Sequence, residues 1–115
     1  MTYTDRLSEL NTALARLKEA LPQVQNQLDK DGTIKRFEFV FELLWKTLKD
    51  YAEDKGRLDA SSPKDAFRVA ADLGLIDNPQ IWFDFLKNRN SADEVYSQIP
   101  SFVTAADLLI SKLSV

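Results

Sequence analysis

The chain contains no cysteine and no histidine in 115 residues. The first absence removes disulfides and thiolate chemistry. The second removes imidazole both as a proton shuttle near neutral pH and as a metal ligand, devices on which most small hydrolases rely. Glycine occurs only three times, at positions 32, 56 and 74. Each sits at an expected helix end, so no glycine-rich phosphate loop can be built. No apolar run approaches membrane-spanning length, and the start Met1-Thr2-Tyr3-Thr4-Asp5-Arg6 lacks a signal-peptide apolar core. A soluble cytoplasmic protein with no membrane association is expected. A net charge of −3 and a pI near 4.9 disfavour a dedicated nucleic-acid binder, while leaving room for a local basic patch. No stretch alternates polar and apolar residues convincingly, so no sheet is expected.

What is present is helical pattern. Hydrophobic residues at 44% and charged residues at 29% are ordinary globular values, and the length suits one domain spanning 1–115. The densest segment is Arg36–Tyr51. Phe37, Val40, Phe41, Leu44, Leu48 and Tyr51 recur at three- and four-residue steps and form one apolar face. Phe39, Leu43 and Trp45 widen that face beyond what a surface helix needs. Glu42 and Lys46 form an i,i+4 pair in the favourable order. Such a helix needs more than one neighbour, so it is expected to be a central bundle helix, a dimer seam, or both. Phe37, Phe41, Trp45 and Trp82 are the residues expected on a dimer or partner face.

Upstream, Leu7, Leu10, Leu14, Leu17, Leu21, Val24 and Leu28 keep a heptad-like phase, with Thr4 as a plausible N-cap. Pro22 interrupts this helix, but the phase continues, which predicts a kink. Asp29-Lys30-Asp31-Gly32 then reads as a turn, and the aromatic helix runs from about Ile34 to Asp54 and stops at Gly56. Ser62-Pro63-Lys64-Asp65 is a helix start, whose helix ends at Gly74. Asn78-Pro79 starts a helix with Ile81, Trp82, Phe85 and Leu86 on its apolar face. Ser91-Ala92-Asp93-Glu94 matches a capping box, and Ala92, Val95, Ile99, Phe102, Ala106, Leu109 and Leu113 follow in heptad phase. Pro100 lies inside that pattern and should bend the helix or restart it. The fold expected is all-α, an up-and-down antiparallel bundle of four long helices plus a short one.

Few residues carry chemistry. Trp45, Trp82 and the phenylalanines read as bundle core rather than a ligand-stacking box, because their spacing is helical throughout. Glu38 and Glu42 lie one turn apart, like the carboxylates of di-iron bundles. Those sites also need Glu-x-x-His, so no metal is expected, and no other cofactor. Lys87-Asn88-Arg89-Asn90 is cationic and amide-rich, between a helix C-terminus and a capped helix start. It can grip a phosphate, or it can simply complement the helix dipole as a basic C-cap.

Arg36-Phe37-Glu38-Phe39-Val40-Phe41-Glu42-Leu43-Leu44-Trp45-Lys46-Thr47-Leu48-Lys49-Asp50-Tyr51 resembles the signature R-F-E-[FY]-x-F-E-L-x-W-K-x-L-K-D-[YF]. That signature belongs to the bacterial and archaeal nucleotidyltransferase substrate-binding protein family, part of the HEPN superfamily and including HepT-like toxins. Ser62-Pro63-Lys64, Gly74-Leu75-Ile76, Ile81-Trp82 and Arg89-Asn90 fall where that family has S-P-[RK], G-L-I, [IV]-W and R-N. The resemblance implies a helical bundle that forms a homodimer. It also implies a partner, a minimal nucleotidyltransferase encoded nearby. Many members are ribonuclease toxins with an Arg-x4-His motif, silenced when the partner adenylylates a tyrosine just after that His.

This chain departs from the motif, since no His follows Arg89. One alignment keeps the spacing, with Glu94 in place of His and Tyr96 as the adenylylation acceptor. Another matches Ser91–Ile99 to the family's last helix, [ST]-A-x-E-[IV]-Y-x-x-I, so that the His-bearing loop is deleted or missing from this sequence. The second is preferred, because the capping box and the heptad phase after it require a helix there. The expected function is a dimeric binding subunit for a nucleotidyltransferase, with Lys87, Arg89 and Asn90 contacting nucleotide or RNA phosphate. The alternatives are a ribonuclease with Arg89 as its catalytic cation, and a purely structural dimerisation bundle. As written, the chain is expected to have little ribonuclease activity, because no side chain near Arg89 can both take and return a proton at neutral pH.

Overall fold

The leucine phase of the first helix runs out at Pro22. Helix α1 (Tyr3–Ala20) gives way to a single 3-10 turn at Leu21–Gln23 and then to extended backbone at Val24. In this computed structural model, which describes residues 3–114, every regular element is helical: α2 (Gln27–Asp54), α3 (Pro63–Asp72), α4 (Gln80–Lys87) and α5 (Ala92–Leu113) follow. The bundle therefore has three long helices and two short ones, rather than four long and one short. Thr4, expected to cap α1, lies inside it.

The expected kink at Pro22 is a true break, and the expected turn at Asp29–Gly32 is helix. Asn26, in extended conformation, caps α2 by accepting from the Asp29 backbone N–H at 2.9 Å, while the Asp29 carboxylate accepts from the Gln25 N–H at 3.1 Å. The restart resets the phase. Leu28, expected on the core seam, is 79% exposed, whereas Thr33 and Phe37 turn inward. Helix ends follow the glycines more closely. Past α2, Gly56 has φ 81°, and the Arg57 and Gly56 N–H groups close onto Ala52 and Glu53 carbonyls. Gly74 ends α3 in the same way. Ser62 and Ser91 cap α3 and α5 as their sequences require. Pro100, which cannot donate to the Tyr96 carbonyl, neither restarts nor interrupts α5, and it faces solvent.

Helices α1 and α2 lie antiparallel. Tyr3 meets Tyr51 edge-on and Arg6 pairs with Asp50 at one end, while the Arg36 guanidinium reaches the Arg16 carbonyl further along. Helix α5 runs alongside α2 in the same sense, with Lys30 beside Asp93 and Phe37 against Phe102. The core centres on aromatic rings drawn from four helices. Phe102 packs against Phe37, Phe41, Trp82 and Phe85 at centroid distances of 4.9 to 6.0 Å, and Phe67 stacks on Trp82 at 4.9 Å.

This core corrects the expected partner face. Phe37, Phe41 and Trp82 are at most 3% exposed within a single copy, and only Trp45 keeps a partly exposed surface. Apart from Phe39, 59% exposed, and the edge of Trp45, the wide apolar face of α2 is covered by α1, α3 and α5 together, so burying its central residues does not require a second chain. Among the described residues no helix is long and apolar enough to cross a membrane.

Candidate functional site

The segment joining α4 to α5 brings Arg89 back to the middle of α2. Its Nη2 lies 3.7 Å from Glu38 Oε1, and its Cζ sits 5.8 Å from the Phe41 ring centroid. One turn on, Glu42 accepts from the Trp45 indole N–H at 3.0 Å and pairs with Lys46 at 3.0 Å. These contacts hold the Glu42 carboxyl below its ordinary range, the indole hydrogen bond contributing most, then Lys46, with Arg89 adding a small part. The spacing of Glu38 and Glu42 by one turn thus serves cations and an indole. Among the described residues no group of three or more metal-ligating side chains converges.

The three residues expected to grip a phosphate do not converge. Arg89 leans toward α2. Lys87 lines a separate groove of about 460 Å³ with Lys64, Gln80, Phe83, Asp84 and Leu86. Asn90 is exposed, and its side chain makes no hydrogen bond among the described residues. The neighbouring start of α5 is already satisfied, because Ser91 Oγ accepts from the Glu94 N–H at 3.2 Å and Asp93 and Glu94 place two acids in the first turn. Those acids compete with any anion for the helix dipole.

Glu94 and Tyr96 separate as well. Glu94 is an exposed residue of the capping box. Tyr96 is half-buried, with the Lys30 ammonium 5.0 Å from its ring centroid, and its hydroxyl has no hydrogen-bond partner among the described residues. Lys30 also pairs with Asp93 and holds that carboxyl below its usual range. Lys30 was not legible as a site residue, because it sat in the segment read as a turn. A groove between α1 and α2 contains Arg16, Lys35, Arg36 and Phe39, none of them among the residues expected to bind a phosphate. The signal was Phe39, which falls outside the 37/41/44/48 phase.

On this helical bundle a solvent-accessible arginine, Arg89, lies against the Phe41 ring and the Glu38 carboxylate of the longest helix. Residues 5–115 match the family described as nucleotidyltransferase substrate binding protein like, and the chain belongs to that family. No curated protein matches it.

Proposed function

We propose that the chain is a helical binding subunit that docks, as a homodimer, against a minimal nucleotidyltransferase, in a system related to toxin–antitoxin pairs of the HEPN superfamily. The family match across residues 5–115 carries this reading. The surface formed by the end of α4 and the start of α5 faces the partner's active site. There Arg89 meets nucleotide or RNA phosphate, Lys87 and Asn90 extend the surface, and Tyr96 is the acceptor of a nucleotidyl group only under the alignment that keeps the spacing from Arg89. Arg89 supports this role because its ion pair with Glu38 is long and half-exposed, so a phosphate can compete for the guanidinium. Trp45, partly exposed beside Glu42 on α2, is the one residue of the expected partner face left accessible to a second chain.

A ribonuclease role has weaker support. Arg89 can polarise a phosphate, but the chain has no histidine, and Glu94 is an exposed residue in the first turn of α5 rather than a group held beside Arg89. The test is co-expression with the nucleotidyltransferase from the neighbouring gene, using wild-type chain and Arg89→Ala. Co-purification, with nucleotide-dependent modification lost in the variant, is the expected result. Complex formation and modification both unchanged in Arg89→Ala would refute the site.

A further inference from the structure

Arginine pairing singles out a second surface. Of the six arginines, Arg6, Arg57, Arg68 and Arg89 each pair with a carboxylate. Arg16 and Arg36 pair with none among the described residues, and both line the same groove of about 760 Å³ between α1 and α2. Lys35, also without an ion-pair partner among the described residues, lines it with them. The Arg36 Nη1 donates to the Arg16 carbonyl at 3.3 Å, which holds one guanidinium against α1. Phe39, 59% exposed, stands one turn along α2 from Lys35 and Arg36. An exposed ring on the central helix of a bundle, flanked by three cations without an ion-pair partner among the described residues, is not explained by core packing.

We infer that this groove binds a nucleoside phosphate, with the base stacked on Phe39 and the phosphate between Arg16, Arg36 and Lys35. Every base has a π-face that an aromatic ring can accept, and guanidinium matches phosphate in two-point hydrogen bonding. The groove's size lies within the range of small-ligand sites. Glu9 and Glu19 also line it, and the antiparallel run of α1 and α2 puts Glu9 toward Phe39 and Glu19 at the opposite end. A phosphate is therefore confined to the middle, and Glu9 is left to accept from a base amino group or a ribose hydroxyl. The site is separate from Arg89, because Arg36 and Glu38 lie about 200° apart around α2.

Calorimetric titration of the purified chain with ATP, adenosine and tripolyphosphate tests this. ATP is expected to bind with a Kd at or below ~1 mM, and the two fragments about tenfold more weakly or worse. The double variant Arg16→Ala/Arg36→Ala should weaken ATP about tenfold, and Phe39→Ala about fivefold. Arg89→Ala should leave ATP binding unchanged, so this outcome is independent of the α4–α5 surface. The inference is overturned by absence of ATP binding at several times ~1 mM. It is equally overturned by binding that survives the double variant, by binding lost in Arg89→Ala instead, or by Phe39→Ala changing the oligomeric mass, which would make the groove an interface between copies.

Discussion

Glu42 is stabilised in its charged form by an indole N–H and an ammonium at once. Its folded pKa lies below the ordinary 4.5, so the stabilisation is present above that value and is lost as pH falls through the folded pKa. The carboxyl is half exposed, so the effect on stability is small and the titration itself is the better readout. Carboxyl-carbon NMR should place the midpoint below 4.5, and Trp45→Phe should move it upward, because the indole is the largest contributor. A midpoint at or above 4.5 in the wild type would contradict the pairing. In the core, Phe102 is fully buried against four other rings. Phe102→Ala should cost about 3–5 kcal/mol in urea unfolding, with an unchanged m-value. At this scale the sequence identified Phe37, Phe41 and Phe102 as inward, since periodicity reports burial directly. It did not say which neighbour covers them, because one helix's apolar face looks the same whether its own chain or a second copy lies against it.

Elements were legible where their ends carry strong local chemistry. Ser62-Pro63, Ser91 through Glu94, Gly56 and Gly74 all mark boundaries where the structure has them. The start of α2 was not legible. Asp29 and Gly32 are weak helix formers, but their propensity deficit is about 1 kcal/mol per residue at most, and the burial of Thr33 and Phe37 together with the Asn26 cap outweighs it. The glycines separate these cases experimentally. Gly32 has no positive φ, and nothing lies within 4 Å of an added Cβ, so Gly32→Ala should stabilise by about 0.5–1 kcal/mol. Gly56 at φ 81° should lose about 1–2 kcal/mol on the same change. If thermal melts showed Gly32→Ala destabilising, the segment would be a turn after all. Pro100 offers a parallel check. Exposed and inside α5, it forfeits one backbone hydrogen bond, so Pro100→Ala should raise stability by about 1–3 kcal/mol.

For the whole molecule, binding and cleavage make different demands on the sequence. An acidic chain without histidine gains little long-range attraction for RNA and carries no imidazole to move a proton near neutral pH. Single-stranded RNA incubated with the purified chain should therefore stay intact. Cleavage that disappears in Arg89→Ala would instead point to Glu94 as the acid–base group. Docking changes the mass of the particle in solution. Light scattering during gel filtration should give twice the 13.1 kDa chain mass for the protein alone at micromolar concentration. Mixed with the neighbouring nucleotidyltransferase, it should give a heavier species containing both proteins. A 13.1 kDa monomer that leaves the nucleotidyltransferase to elute separately would contradict the account.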